Sequence, residues 1–404
     1  MPFSRLTVVD VATLAAAPQI AAFFGDFGAR VIKVEPPRGD PLRRLVTEDG
    51  VALQWKLVNR NKECVTLDLT DPAGLDVLHR LLGRADVLVS AHSLDRLVRF
   101  GIDAASLRER HPRLVAVNLT AWGIEGPWAE RVGSGTLAEA AAGLAALTGE
   151  EDGPPGLSPV GLGDVLGVLQ GVIAALLGLY ARDASSSRGS RETGGEGELF
   201  DVAMYEPVLA LLGARITQAA RTGVDPGRHG NRFPTMAPRN AYATEDGEWV
   251  ALTAGTDDLA HRTLAVIGRP ELASDPRFAT SRARVENAEA LDRLVAEWIA
   301  ARPCAEVVEA FQRERVSVAA IEGPLRVSRN PHFRARGSLV EMEDTEAGAM
   351  LLAAPLPRRS RDAGRVRHLG RALGADNASV YGGWLGLSAD EIEALAASGM
   401  IGKK

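Results

Sequence analysis

Leu6-Thr7-Val8-Val9-Asp10-Val11, then the run from Pro18 to Gly28, then Arg30-Val31-Ile32-Lys33-Val34-Glu35 decide the fold. The outer two segments are short apolar runs that read as strands, and the middle one reads as a helix. The same alternation continues downstream. Val65–Leu69 is strand-like, Ala73–Leu82 helical, Asp86–Val89 a strand, Leu94–Phe100 a helix and Leu114–Leu119 a strand. Strands alternating with amphipathic helices predict an α/β fold with a doubly wound, Rossmann-like parallel sheet. Ligands of such sheets bind outside the carboxyl ends of the strands.

The first strand-to-helix turn tests whether that ligand is a dinucleotide. The pyrophosphate fingerprint needs glycines there. The turn is Ala15-Ala16-Ala17-Pro18, with none. Glu35, at the end of the second strand, would otherwise suggest a ribose ligand. Without the phosphate loop, a dehydrogenase is disfavoured.

Gly161-Leu162-Gly163-Asp164 precedes a long apolar stretch, Val165 to Tyr180, read as a buried helix. Gly161 and Gly163 remove side-chain bulk, so a large substrate can approach Asp164 against bare backbone. Free amides at the helix start would stabilise negative charge. This suits a carboxylate nucleophile attacking an acyl group. An aspartate at a helix start is equally an ordinary N-cap.

Composition narrows the class. The chain has 404 residues, 46% hydrophobic and 24% charged, a globular profile with room for more than one domain. A net charge of −6 argues against a general nucleic-acid binder. Cys64 and Cys304 are far apart, which gives neither a disulfide framework nor a zinc signature and points to a reducing compartment. No signal peptide is expected at Met1–Arg5, and the Val165–Tyr180 stretch is too short and glycine-interrupted for a membrane span. The protein is therefore expected to be cytoplasmic, without membrane or nucleic-acid partners.

Ala184–Gly197 reads as a polar loop, and Glu198–Leu212 as a strand passing into a helix. Asn240–Tyr242 and Trp249–Thr253 flank a Thr-Glu-Asp-Gly turn, a hairpin signal. Asp258–Ile267 and Ala288–Ala301 read as helices. The predicted organisation is 1–200 for the N-terminal part of a large α/β domain and 201–225 for a linker helix. A small α+β domain follows at 226–328, and 329–404 return to the large domain. A final helix starts at Ser388, where Ser388-Ala-Asp-Glu391 is a capping box.

Several segments in order resemble class III CoA-transferases, the formyl-CoA transferase or CaiB/BaiF family. They are Gly28-Ala29-Arg30-Val31-Ile32-Lys33-Val34-Glu35 with Gly39-Asp40, Asn59-Arg60-Asn61-Lys62 with Leu67-Asp68-Leu69, and Pro112-Arg113-Leu114-Val115. Gly126-Pro127-Trp128, the Gly161–Asp164 element, Ala237-Pro238, Asp275-Pro276-Arg277-Phe278 and Asn330-Pro331-His332 continue the series. The resemblance implies that Asp164 attacks an acyl-CoA thioester, giving a mixed anhydride and then an aspartyl-CoA thioester. It implies no tightly bound cofactor and no metal, with coenzyme A entering as part of an acyl-CoA substrate and a small carboxylic acid as the other substrate. It also implies an interlocked homodimer.

Racemases of the same family carry a His-Asp pair where this chain has Ser134 and Gly135. Serine without an activating base does not take an α-proton. Transfer is therefore favoured over the two alternatives, an α-methylacyl-CoA racemase-type isomerase and a non-catalytic CoA-binding protein. Glu139 is a candidate to orient the acceptor or CoA, or else a helix cap or ion-pair partner. Arg239 is a candidate for the distal carboxylate of a diacid, or else a surface arginine. For CoA itself the candidates are Ala15 in the first turn, Arg38 and Arg43 near Gly39-Asp40, His92 as an adenine-stacking side chain, Arg99 for phosphate, and Arg131.

Overall fold

The structure, a computed structural model, describes residues 1–47, 49–187 and 195–402. The chain divides into two compact units. One comprises Met1–Gly143, Ser158–Gly213 and the chain from His332 onward, and the other comprises Leu144–Leu157 and Ala214–Pro331. The continuous stretch 1–200 expected for the large domain is thus interrupted. Leu144–Leu157 belongs with the second unit because its partners lie far along the chain: Gly230 donates to the Gly149 carbonyl at 3.0 Å and Arg228 Nε to the Glu150 carbonyl at 3.1 Å.

The first unit is built on six parallel strands: β1 (Thr7–Asp10), β2 (Arg30–Glu35), β3 (Glu63–Thr66), β4 (Val87–Ser90), β5 (Val115–Thr120) and β6 (Leu199–Ala203). Their order is β3-β2-β1-β4-β5-β6, with Val8 paired to Val31 on one side and Val87 on the other. Val8, Val9, Ile32, Val87, Val89, Val115 and Val117 are all shut off from solvent, so both faces of the sheet are covered. The strand order reverses between β1 and β4, where an open α/β sheet forms its ligand crevice.

Three helices matter for the site: α1 (Pro18–Asp26), α2 (Gly135–Ala141) and α3 (Leu162–Ser187). Helix α3 lies close on α1 and on the sheet because glycines face them. A β-carbon on Gly171 would lie 2.3 Å from Ile20, and one on Gly178 would lie 2.6 Å from Val115. Val172, Ala175 and Leu179 join the core with Ile20 and Val117.

The expectation of a buried helix confined to Val165–Tyr180 is corrected in length and in burial. Helix α3 has 26 residues and extends into the segment read as a polar loop, of which 188–194 lie outside the described residues. It is also long and apolar enough, by length and composition, to cross a membrane. Its sheet-facing side is packed into the core, while Val165, Leu169, Ile173, Leu177 and Tyr180 are exposed. Their spacing of four, four, four and three residues makes one continuous stripe.

Beneath the first turn sits a buried charge cluster. Lys62 Nζ donates to Asp10 Oδ2 at 2.9 Å, the Pro18 carbonyl at 2.7 Å and Asn59 Oδ1 at 3.0 Å. Lys33 pairs with Asp40 at 3.3 Å and Asp10 at 3.8 Å, and also donates to the Ala12 carbonyl. Burial pushes the Lys62 ammonium down to about 8, against the opposing pull of Asp10. These bonds fasten the carboxyl end of β1 and the start of α1.

The chain beyond His332 forms the hairpin described below and covers the outer edge of β3. Asp376 accepts from the Cys64 amide at 2.8 Å, Asn377 from the Thr66 amide at 2.9 Å, and the Tyr381 hydroxyl donates to the Thr66 carbonyl at 2.8 Å. These bonds occupy groups that an edge strand otherwise leaves open. The final helix, Ala389–Ala397, carries the expected Ser388–Glu391 capping box.

The second unit has an antiparallel sheet of β7 (Arg239–Ala243), β8 (Trp249–Thr253) and β9 (Ser317–Ala320), in that order. Helices Asp257–Val266, Ala288–Ala300 and Cys304–Arg313 pack with it around Val250, Leu264, Phe278, Val295 and Phe311. In the first unit, β10 (Leu339–Asp344) and β11 (Gly348–Ala353) pair as the antiparallel hairpin.

Candidate active site

A cavity of about 770 Å³ opens at the carboxyl ends of β1, β4, β5 and β6. Its walls are the turn Thr13–Ala17, Ala91 and Ser93 after β4, Leu119–Trp122 at the end of β5, the loop Ala129–Ser134, and Gly161 and Asp164 at the start of α3. The site lies at the strand-order reversal, as the alternation of strands and helices predicts. The charged side chains in its described lining are Glu130, Arg131 and Asp164.

Asp164 occupies the first turn of α3 and is half-buried. Its carboxylate is wedged between two glycines. A β-carbon on Gly161 would lie 2.2 Å from Oδ2, and one on Gly135 would lie 2.4 Å from the same atom. On Gly163 it would lie 2.4 Å from the Gly135 carbonyl oxygen. The glycines around Asp164 therefore do more than open a path for substrate: they make room for the carboxylate and for the contact between the starts of α2 and α3. Burial raises the Asp164 carboxyl above its ordinary range, and the nearby Glu139 charge adds to this. A hydrogen bond from the Gly135 amide pulls the other way.

Two of the amides expected to be free at the start of α3 are engaged. The Gly163 amide donates to Glu139 Oε1 at 2.9 Å, and the Leu162 amide donates to the Val160 carbonyl at 2.8 Å. Glu139 is only 2% exposed and is not part of the cavity wall, so it does not meet an acceptor or CoA directly. Its other oxygen accepts from the Ser158 hydroxyl at 2.5 Å. Gly135 and Ser158 were not legible as site residues, because each meets its partner only after distant segments come together.

The remaining candidates separate clearly. Ala15 and Arg131 line the cavity, and the Arg131 guanidinium lies 4.5 Å from the centre of the Trp128 ring. Arg43 is committed elsewhere. It forms a two-pronged pair with the buried Glu35, at 2.6 and 2.7 Å, and stacks 3.7 Å over Trp55. His92 is 8% exposed, lies edge-on to Phe100 and does not line the cavity, so it offers no open face for adenine. Burial, Arg96, Lys33 and Arg99 push it down to about 4, leaving a neutral ring.

Arg38 and Arg99 are exposed and outside the cavity wall. Arg239, in the second unit, donates to the Asn231 carbonyl at 2.8 Å and lies over Phe233. Ser134 lines the cavity and also caps α2, where its hydroxyl oxygen accepts from the Leu137 amide at 3.4 Å. No histidine lies in the described cavity lining. Among the described residues, no group of three or more His, Cys, Asp or Glu stands where it could hold a metal ion.

Residues 3–377 match the sequence profile of CoA-transferase family III. The chain belongs to that family. Among relatives of this family III enzyme, the succinyl-CoA–D-citramalate CoA-transferase of Chloroflexus aurantiacus is 33% identical over 99% of this chain and 98% of its own length. The acetyl-CoA:oxalate CoA-transferase of Acetobacter aceti is 31% identical over 88% of each. The family III fold is also seen in the crystal structure of a CaiB/BaiF family protein from Brucella suis. That structure is 29% identical, with a TM-score of 0.80, over 95% of this chain and 99% of that one.

Proposed function

We propose that this CoA-transferase moves coenzyme A from an acyl-CoA to a small dicarboxylic acid, with Asp164 as the nucleophile. The observation that carries this reading is Asp164 itself, a carboxylate wedged between Gly135 and Gly161 on the wall of the cavity. The Asp164 carboxylate attacks the thioester carbonyl, the carbon–sulfur bond breaks, and a mixed anhydride and CoA thiolate result. The thiolate then attacks the aspartyl carbonyl, releasing the donor acid and leaving an aspartyl-CoA thioester. The acceptor carboxylate attacks that thioester, and the thiolate returns to the acceptor's acyl carbon as Asp164 leaves. Charge balances throughout, and no external proton is consumed.

The cavity must hold the thiolate and limit water while the anhydride exists. Ala15 and its neighbours supply a close backbone wall, and Arg131 supplies a cation for the anionic parts of the substrates. The dicarboxylate preference follows the activities of relatives. Besides the D-citramalate enzyme, the beta subunit of a succinyl-CoA–L-malate CoA-transferase from C. aurantiacus is 32% identical over 99% of this chain.

The exposed stripe on α3 supports a homodimer in which a second copy covers it. Cys64 and Cys304 are buried free thiols, which suits a cytoplasmic enzyme.

Intact-protein mass spectrometry after mixing with succinyl-CoA, with and without hydroxylamine, tests the reading. A covalent adduct or hydroxamate mapping to Asp164, absent from Asp164→Ala, is expected. If no adduct forms with any acyl-CoA while one of them exchanges its α-proton with deuterated water, the enzyme is an isomerase instead.

A further inference from the structure

Helix α2 touches the nucleophile turn twice. Its first residue, Gly135, packs directly against the Asp164 carboxylate, so that a β-carbon there would lie 2.4 Å from Oδ2. One turn later Glu139, buried and outside the cavity, receives the Gly163 amide on one oxygen and the Ser158 hydroxyl on the other. Both oxygens act as acceptors, the pattern of an ionised carboxylate. Ser158 and Gly163 flank Val160-Gly161, the backbone on which the carboxylate of Asp164 rests. Breaking the Glu139 contacts would free both ends of this turn at once.

We infer that Glu139 is a positioning residue of the transfer reaction: by holding the Gly163 amide and the Ser158 hydroxyl, it fixes the turn that presents Asp164 to the cavity. This goes beyond the assignment of Asp164 as nucleophile and rests on it. Glu139 never meets the substrate; it acts through the backbone of the neighbouring residue. A second effect follows from its charge. A buried anion beside Asp164 favours the protonated form of that carboxyl and so makes the ionised form a stronger base and nucleophile. The other charged groups facing Asp164 across the described cavity are Glu130 and Arg131, on the loop before α2. Neither sits behind the turn as Glu139 does.

The two effects come apart by mutation. Glu139→Gln keeps an oxygen for the Gly163 amide but removes the charge. Glu139→Ala removes both. Ser158→Ala leaves the charge and removes one anchor. The readout is the rate of acyl-CoA-dependent hydroxamate formation at Asp164, followed from about pH 4 to 8, with thermal melting recorded alongside.

Glu139→Gln is expected to keep the plateau rate within about threefold and to move the acidic limb down. Glu139→Ala is expected to lower the plateau by at least about tenfold, since misplacement by an ångström is that costly to a nucleophile. Ser158→Ala should lower the plateau without moving the limb. Wild-type plateau and limb in both Glu139 variants would overturn the inference. So would equal losses in the two variants with an unmoved limb, which is the mark of a packing defect. A wild-type enzyme that forms no adduct overturns the nucleophile assignment and this inference with it; a wild-type adduct with unaltered Glu139 variants overturns this inference alone.

Discussion

A β-carbon added to Gly161 would lie 2.2 Å from Asp164 Oδ2, closer than any non-bonded pair tolerates. The atom in the way is the end of a side chain, so the fold has an escape that the chemistry lacks: the carboxylate swings aside. Gly161→Ala should therefore melt close to wild type while losing about a hundredfold in transfer rate. Gly163→Ala is different. Its β-carbon meets the Gly135 carbonyl oxygen at 2.4 Å, which is backbone, so α2 and α3 must separate. That variant should lose activity together with about 1–3 kcal/mol of stability. Steady-state kinetics and thermal melts on the pair distinguish the two outcomes.

The acidic limb of the transfer reaction should lie above the ordinary carboxylate range. Burial raises the Asp164 carboxyl, the Gly135 hydrogen bond partly offsets this, and Glu139 adds to it. On the proposed mechanism Asp164 attacks as the anion, so activity is expected to fall as pH drops through this raised value. Stability runs the other way. A carboxyl raised on folding contributes stability that is full below its unfolded pKa and lost as pH rises through its folded one. Asp164→Asn should accordingly melt higher than wild type at neutral pH. The difference should vanish in acid, where the aspartate is protonated too.

Arg131 and Arg43 should fail in different ways. Arg131 lines the cavity, and Arg131→Ala should raise KM for the acyl-CoA by about tenfold or more, the loss of one charge-assisted contact. Arg43→Ala leaves Glu35 buried without its ion-pair partner and should cost about 3–5 kcal/mol of stability. Any KM change in Arg43→Ala that exceeds that of Arg131→Ala would reverse the assignment.

Lys62→Met removes three hydrogen bonds beneath the first turn and leaves Asp10 with Lys33 at 3.8 Å. A loss of about 3–5 kcal/mol is expected in denaturant titration, because a buried charge is left poorly compensated.

If a second copy covers the α3 stripe, one charge in it should be enough to break the pair. Leu169→Glu, at a position 55% exposed in the single chain, should sediment as a monomer at concentrations where wild type is a dimer. A dimeric Leu169→Glu would move the interface elsewhere.

Much of the fold was legible. Strand β2 runs over Arg30–Glu35 as read from its apolar run, and the helix Leu94–Phe100 also ends where expected. Val65–Leu69 was displaced, because Leu67 and Leu69 serve the core from outside the strand, which occupies Glu63–Thr66. Apolar character records burial, not extended backbone. The same limit governs α3: hydropathy does not separate a face packed on the sheet from one left bare.

Asp164, Gly161 and Gly163 were legible as a local motif. The contacts of Glu139 were not, because its partners lie 19 and 24 residues away along the chain. Arg43 and His92 were misplaced for a related reason. A one-dimensional reading shows a charge or a ring but not the Glu35 and Phe100 that already occupy them.

Glu35 itself closes off another chemistry. Its two oxygens are engaged by Arg43 and by the Asp40 amide, and its side chain is wholly withdrawn from solvent. On a sheet with this strand order, that is the position from which an acid would accept the hydroxyls of a nucleotide ribose. The scaffold shares its topology with hydride-transferring enzymes, yet converting it to their trade would require dismantling an internal ion pair before any new loop was built. A change from one chemistry to the other is thus obstructed from within the protein, at a buried residue outside the cavity wall.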